Sequence, residues 1–397
     1  MTSATEAKER IAREIRDLNP RLLEVSHYIH ANPEIGFQEH KAVSLLTLEL
    51  QKEGFAIQRP VAGLDTAFVA SYGSGKPVVA FMAEYDALRG LDHACGHNLI
   101  ATWALGAAIA LKRSVPDLKG TIQMIGTPAE EGGGGKVVMV NEGVFRGVDA
   151  AIMMHGNDAF HLHRPSLAVA HYTLEFFGKS AHASASPEKG ISALDAVLQV
   201  FFSVNAWRQM LKPGARIHGC ILKGGDAPNI IPEYASAEFL VRAAEQDYHA
   251  ELKKKFRNIV EAACLSTGAR VEIHEGLGYD VRVSNQELLD RFRDNLVALG
   301  IQPEDLPPDA GIGSSDVANV SQVVPTIHPF FKVCDKGVPA HTPEMRAAVG
   351  GPQGDATIGP GATVMAWTGA DVLLDPGVWD RLRATFRQQL GRDPQEW

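Results

Sequence analysis

The chain has 397 residues, of which 45% are hydrophobic and 21% are charged, and its formal net charge is −9. This composition is that of a globular protein, and the length predicts two or three domains. We expect no nucleic-acid partner, because that class of ligand needs a basic face and the charges here are interspersed with an acidic excess. We expect no membrane partner either, because no apolar run approaches the ~20 residues that span a bilayer.

The N-terminal residues and the cysteines indicate the expected compartment. Residues 1–8 carry charge and lack the apolar segment of a secretory signal, so we expect a cytoplasmic protein. The four cysteines follow no pairing pattern, and we expect three of them, Cys220, Cys264 and Cys334, to be reduced. Cys95 differs from the other three because it lies between His93 and His97.

Helices and apolar strands alternate in the first part of the chain. Apolar periodicity predicts two amphipathic helices at the start, over residues 6–30 and 38–53. Predicted strands at 65–71, 77–83, 120–126 and 150–154 then alternate with helices at 99–112 and 136–142. This alternation is typical of a largely parallel α/β sheet flanked by helices.

The pattern changes at about residue 171. Predicted strands at 171–178, 216–223, 235–243 and 269–274, with helices at 189–211 and 246–265, indicate a small α+β domain with an antiparallel sheet. From residue 285 the α/β pattern returns, with a helix, a strand at 326–331 and two final helices. We therefore predict a catalytic domain formed by residues 1–170 and 286–397, into which a second domain, residues 171–285, is inserted.

Polar side chains follow the apolar strand at 77–83. The segment from Glu84 to Asn98 contains acidic residues, two histidines and Cys95. Open α/β sheets usually bind ligands at the ends of their strands, so this loop is a candidate metal site. Taken alone it could equally be a polar turn with an inert cysteine.

Three further groups of polar residues resemble metal ligands. Glu130 and Glu131 follow the strand at 120–126, His155 follows the strand at 150–154, and His341 lies between two prolines. Each could be an ordinary turn or helix-start residue, but together with Cys95 and His97 they indicate a mixed ligand set that suits zinc or manganese rather than calcium.

Adjacent glutamates fit a hydrolytic site. One carboxylate can bind a metal ion while its neighbour takes a proton from the attacking water, and a pair of ions can hold the attacking oxygen and the carbonyl oxygen. A cysteine between histidines could bridge the two ions as a thiolate. Asp86 is placed to orient a ligand histidine.

Six motifs, taken in order, strongly resemble the M20 metallopeptidase/amidohydrolase family. They cover residues 84–88, 93–98, 128–133, 178–183, 224–232 and 313–317. Within that family the chain looks nearest to the amidohydrolase branch, which includes aminobenzoyl-glutamate hydrolase and the aminoacylase-1-like dipeptidases. The similarity extends from about His30 to His341 and the final helices.

The resemblance implies a catalytic domain with two divalent metal ions, Mn or Zn, and a lid domain that also forms a homodimer. The metal ligands that it implies are Cys95, His97, Glu131, His155 and His341. Glu130 would be the general base. His182 would point at the carbonyl oxygen, in its own or the partner subunit's site, and Asn229 would hold the substrate.

Two departures from the family pattern concern substrate choice. Arg89 and Asp92 replace the proline and glycine that these relatives commonly carry beside the metal loop. In the inserted domain, His218 and Arg242 could bind a substrate carboxylate, or they could be structural.

The expected function is a metal-dependent amidohydrolase that cleaves the amide bond of a small N-acyl or N-aroyl amino acid or a dipeptide, by metal-activated water with Glu130 as base. Two alternatives use the same residues. The protein could be an aminohydrolase that releases ammonia from an aminated aromatic acid, or a non-catalytic ligand-binding relative. The exact substrate and the identity of the metal do not follow from the sequence.

Overall fold

The computed structural model describes residues 4–307 and 313–394, which divide into two compact units with separate hydrophobic cores. The first unit contains residues 4–164, 282–307 and 315–394, and the second contains residues 165–281 with 313–314. The outermost residues of the predicted domains lie outside the described ranges.

A six-stranded mixed sheet forms the centre of the first unit. Its strands lie in the order β1-β2-β4-β3-β5-β11. The strands are β1 (Ala56–Gln58), β2 (Phe68–Ser74), β3 (Val78–Ala83), β4 (Gly120–Gly126), β5 (Ala150–Ile152) and β11 (Thr326–Ile327). β4, β3, β5 and β11 pair in parallel, whereas β1 and β2 are antiparallel to their neighbours. The expected mixed, largely parallel α/β sheet is confirmed.

Helices bury their apolar faces against this sheet or against one another. The three longest are α1 (Ala4–Ala31), α3 (His97–Ser114) and α10 (Pro352–Leu374). α3 and α10 contact the strands, and α1 packs on these two helices. α3 is hydrophobic almost all round and is buried nearly throughout, as expected of a helix enclosed by others. The remaining helices are α2 (His40–Lys52), α4 (Gly135–Asn141), α7 (Gln286–Ala298), α8 (Val317–Ser321), α9 (Pro343–Val349) and α11 (Pro376–Leu390).

Two predicted elements differ from the structure. The single strand expected at 326–331 is divided, because Pro329 lacks the N–H that would continue a sheet ladder. β11 joins the main sheet, and β12 (Phe330–Lys332) pairs in parallel with β6 (His155–Asn157) in a separate two-stranded sheet. The chain also ends with three helices rather than two, since the short α9 precedes α10 and α11.

The second unit is a four-stranded antiparallel sheet with two helices. The strands lie in the order β10-β7-β9-β8 and are β7 (Ala168–Phe177), β8 (Arg216–Lys223), β9 (Tyr234–Ala243) and β10 (Arg270–Glu275). β7 and β9 alternate buried and half-exposed residues, which is the pattern of a sheet with one covered face. The helices α5 (Ala193–Arg208) and α6 (Gln246–Thr267) pack on that face.

No helix within residues 4–307 and 313–394 combines the length and the apolar character that a bilayer crossing requires.

Candidate metal centre

The ends of three neighbouring parallel strands bring the polar residues of the first unit together. Asp86 lies three residues beyond β3, Glu130 lies four residues beyond β4, and His155 begins β6 just after β5. Because parallel strands end at the same edge of a sheet, these side chains share one region.

Two further segments contribute residues to this region. Cys95 comes from the loop that leads into α3, and His97 is the first residue of that helix. His341 comes from the segment before α9, and its backbone N–H donates to the carbonyl of Ala94, 3.0 Å away. This bond joins the late segment to the loop that holds Cys95.

The candidate ligands form overlapping groups in which the ligand atoms lie within 4.8 Å of one another. One group is Cys95, His97 and His155, and a second is Cys95, Glu131 and His341. The Cys95 Sγ is 3.3 Å from His155 Nε2, and Glu131 Oε1 is 3.3 Å from His341 Nε2. Cys95 belongs to both groups, as a ligand shared by two ions would.

Asp86 fixes the orientation of the buried His97 ring. The ring Nδ1 donates to Asp86 Oδ1, at 2.9 Å, and the other oxygen of Asp86 accepts the backbone N–H of Glu131, also at 2.9 Å. Nδ1 therefore carries a proton, and Nε2 is the ring atom that faces Glu131 Oε1, 3.9 Å away. One carboxylate thus holds two candidate ligands in place.

His155 is oriented in the same way by a backbone group. Its Nδ1 donates to the carbonyl of Gly156, at 2.8 Å, which leaves Nε2 as the atom that faces Cys95. His341 is the most exposed of the candidate ligands, with 48% of its side chain accessible.

The ionisation of the site follows from burial and from neighbouring charge. Burial opposes the charged form of Asp86, but the charge and hydrogen bond of His97 outweigh it and lower the Asp86 pKa. Burial likewise opposes charge on Glu131, and the hydrogen bond to His341 together with the charge of His97 brings its pKa below the ordinary value. Burial raises the pKa of the Cys95 thiol, so this residue needs a nearby cation to act as a thiolate.

Glu130 behaves differently from its neighbour Glu131. Burial raises its pKa well above the ordinary value, and the charges of Glu84 and Asp316 raise it further. A carboxyl whose pKa is raised above its ordinary value is better suited to accept and return a proton than an ordinary surface carboxyl. The two adjacent glutamates therefore differ in environment as well as in position.

The side chains fit a pair of divalent transition-metal ions. The buried atom His97 Nε2 has no hydrogen-bond partner among the described residues. A buried polar atom without a partner is costly unless something else satisfies it. Thiolate, imidazole and carboxylate donors gathered at this spacing are of the kinds that bind divalent transition metals.

A buried network of ion pairs borders the candidate ligands, and the sequence did not predict it. The Lys136 ammonium, fully buried, lies 2.5 Å from Glu84 Oε1 and 2.8 Å from Asp316 Oδ1. Asp316 Oδ2 also accepts the backbone N–H of Lys136 at 2.9 Å. The remaining oxygen of Glu84 is 3.5 Å from His97 Nε2, so the network borders the candidate ligands. The local indication of this network in the sequence is Lys136, a charged residue near the start of the otherwise apolar α4.

The other four candidate residues lie in the second unit. The ring of the exposed His182 accepts the backbone N–H groups of Ser184 and Ala185, and the chain beside it pairs with Asn229 through a bond from Ala183. His182 and Asn229 are thus brought together.

His218 and Arg242 lie on the paired strands β8 and β9. Burial lowers the His218 pKa, and the charge of Arg242 adds to this effect. The Arg242 guanidinium donates to Ser314 Oγ at 3.1 Å.

A family model and several known proteins match this chain, and the matches agree on one family. The model of peptidase family M20/M25/M40 matches residues 80–368. The Xaa-Arg dipeptidase of Mus musculus is 34% identical over 96% of this chain and 93% of its own length. One of the p-aminobenzoyl-glutamate hydrolase subunits of Escherichia coli is 37% identical over 64% of this chain and 57% of its own length.

A solved structure shares the fold. The dinuclear metal binding peptidase of the M20 family from Bacillus subtilis superposes with a TM-score of 0.69 at 21% identity, covering 90% of this chain and 99% of that one. The family model spans most of this chain, and the dipeptidase aligns along nearly all of it. The chain therefore belongs to peptidase family M20/M25/M40 and is a hydrolase of carbon–nitrogen bonds.

Proposed function

We propose that the protein is a metal-dependent amidohydrolase that cleaves the amide bond of a small N-acyl or N-aroyl amino acid or a dipeptide. The observation that carries the proposal is the position of Glu130. Its carboxylate lies within 4.8 Å of the ligand atoms of His97 and Glu131, while Glu131 is the residue that contacts His341. This arrangement supports a role for Glu131 in binding metal and for Glu130 in handling protons.

The residues that would hold the ions are Cys95, His97, Glu131, His155 and His341. When bound, two Mn or Zn ions would polarise the amide carbonyl and lower the pKa of a water molecule. Glu130 would take the proton of that water and pass it to the leaving nitrogen, and its raised pKa supports both steps. Asp86 would keep the His97 ring in the tautomer that can bind metal.

The proposal extends to the second unit, which would serve as a lid and carry the contacts of a homodimer. β8 supports this role because it is an edge strand, with 42% of Ile221 and 53% of Leu222 exposed. His182 would donate to the carbonyl oxygen, and Asn229 would hold the substrate. Sedimentation should give a dimer, and Ile221→Lys should shift it towards monomer.

A hydrolysis screen tests the main proposal. Purified protein loaded with Mn or Zn should release the amino acid from members of an N-acyl and N-aroyl amino acid panel, and a chelator should abolish this activity. The panel should include dipeptides and an aminobenzoyl-glutamate, because two of the relatives are named a dipeptidase and an aminobenzoyl-glutamate hydrolase. Release of ammonia in place of an amino acid would support the aminohydrolase alternative, and metal-loaded protein inert on the whole panel would support the non-catalytic one.

Substitution of the proposed base gives the sharper test. Glu130→Ala and Glu130→Gln should fold and bind metal as the wild type does, while kcat falls by roughly 10²–10⁴. Glu53→Gln serves as a control, because Glu53 is a surface carboxylate paired with Arg113. Ordinary turnover by Glu130→Ala would refute the assigned base.

A further inference from the structure

The residue before the proposed base has an unusual backbone conformation. Ala129 is fully buried and has a φ of 57°, in the left-handed region that residues with a side chain rarely adopt. Such a conformation persists only where the surrounding structure imposes it. Because Glu130 and Glu131 come next in the chain, the contacts that fix the Ala129 backbone also fix the position and direction of the backbone that carries these two side chains.

Glu39 contacts Ala129 from a distant part of the sequence. Its Oε1 accepts the backbone N–H of Ala129 at 2.8 Å, and the Glu39 side chain is fully buried. In the left-handed conformation this N–H needs a specific acceptor, and a buried donor without one is costly. The carboxylate therefore supplies a bond that the turn itself does not provide.

The position of Glu39 in the chain makes this contact notable. Glu39 immediately precedes α2, where an acidic side chain ordinarily accepts the first free N–H groups of its own helix, but it makes no such capping bond. Glu34 does so instead, since its carboxylate accepts the N–H groups of Lys41 and Ala42 at 2.9 and 3.1 Å. Glu34 thus satisfies the helix, and Glu39 is available for Ala129.

Close packing completes the arrangement around Ala129. A Cβ built on Gly36 would lie 2.8 Å from the Ala129 Cβ, and one built on Gly133 would lie 2.6 Å from it. The Gly133 N–H also donates to the Ala129 carbonyl at 3.1 Å. Two glycines therefore enclose the methyl group while Glu39 holds the amide.

We propose that Glu39 is a positioning residue, which acts through the Ala129 backbone to hold the Glu130–Glu131 turn in its working geometry. The role of Glu39 is to accept a hydrogen bond, so its charge is not required. The kinetic part of this proposal rests on the function proposed above for Glu130, whereas the structural part does not.

The test compares Glu39→Ala with Glu39→Gln, which keeps an acceptor oxygen. The first readout is amide hydrogen exchange of the segment 127–133 in metal-free protein. Glu39→Ala should speed exchange of the Ala129 amide by about tenfold or more, because its acceptor is gone, and Glu39→Gln should leave it near the wild-type rate. Unchanged exchange in Glu39→Ala would overturn the proposal whether or not the enzyme has the proposed activity.

The second readout is steady-state kinetics on whichever substrate the wild type hydrolyses. Glu39→Ala should lower kcat by about tenfold to a hundredfold with KM within about threefold, because a small displacement of a reacting group acts mainly on the chemical step. Glu39→Gln should retain kcat within about threefold. Equal kinetics for Glu39→Ala and wild type would refute the positioning role, and a wild type inert on the whole panel would instead refute the proposed function.

Two further variants separate positioning from general stability. Ala129→Gly removes the backbone penalty, so the double variant Glu39→Ala/Ala129→Gly should recover about threefold or more of the kcat lost in Glu39→Ala. Failure of this recovery would contradict action through Ala129.

Glu49→Ala is the matched control. Glu49 is a mostly buried carboxylate on α2 that pairs with Arg21, so its replacement should affect stability alone. If Glu39→Ala does not fold, Glu39→Asp, with its shorter side chain, takes its place in both readouts.

Discussion

Replacement of Lys136 by methionine should destabilise the first unit strongly. The ammonium of this fully buried residue lies between Glu84 and Asp316, at 2.5 and 2.8 Å. Methionine fills a similar volume but leaves both carboxyl groups enclosed without their counter-charge. Removing one member of a buried ion group costs roughly 3–5 kcal/mol. For a unit of this size that corresponds to a fall in the unfolding midpoint of about 10 °C.

Calorimetry of the metal-free protein measures this change without any assumption about activity. Lys336→Met is the control, because Lys336 forms an exposed pair with Glu304, and pairs of that kind contribute about 0–1 kcal/mol. Adding Glu84→Gln and Asp316→Asn to Lys136→Met should restore much of the lost stability, since the penalty comes from uncompensated charge. A Lys136→Met midpoint equal to that of Lys336→Met would refute the reasoning.

Three other changes test separate parts of the site. Asp86→Asn should weaken zinc or manganese binding by about tenfold to a hundredfold in a competition titration with a chromophoric chelator. His97 and the Glu131 N–H donate to different oxygens of Asp86, and asparagine has an NH2 group, which cannot accept, at one of these two positions. Gly36→Ala should lower kcat and the unfolding midpoint together, because its new Cβ would lie 2.8 Å from the Ala129 Cβ. Burial raises the Glu39 pKa from 4.5 to about 7, so between these pH values the folded state binds more protons than the unfolded state. The free energy of unfolding of the wild type, measured in urea, should therefore fall relative to that of Glu39→Gln as pH rises through this range. A difference that does not change with pH would contradict the shift.

The sequence predicted those parts of the fold and site that have local signals. The runs that form β3, β4 and β5 are apolar, and polar residues follow each of them, so both the parallel sheet and the edge at which the polar residues gather could be expected. The polar loop after β3 supplied Cys95 and His97 as candidates, and the family motifs assigned them as metal ligands. Local patterns are sufficient here because strand direction alone determines which edge the loops share.

The supporting contacts could not be predicted in the same way. Lys136 and Asp316 are 180 residues apart, and neither neighbourhood indicates the other. In the sequence Glu39 looks like an ordinary acid at a helix start, and its contact with Ala129 arises only when the chain folds. The division of the strand at Pro329 was readable from the sequence, since proline seldom continues a ladder.

The residues of the first unit that flank the 165–281 segment are in contact with each other. Arg164 is its last residue before the 165–281 segment and Arg282 is the first after it, and the Arg282 guanidinium donates to the Arg164 carbonyl. Two chain ends that are already neighbours can be joined by a few residues at little entropic expense. This junction therefore suits a deletion, and joining the two arginines through a short glycine linker is a practical route to the first unit without the 165–281 segment.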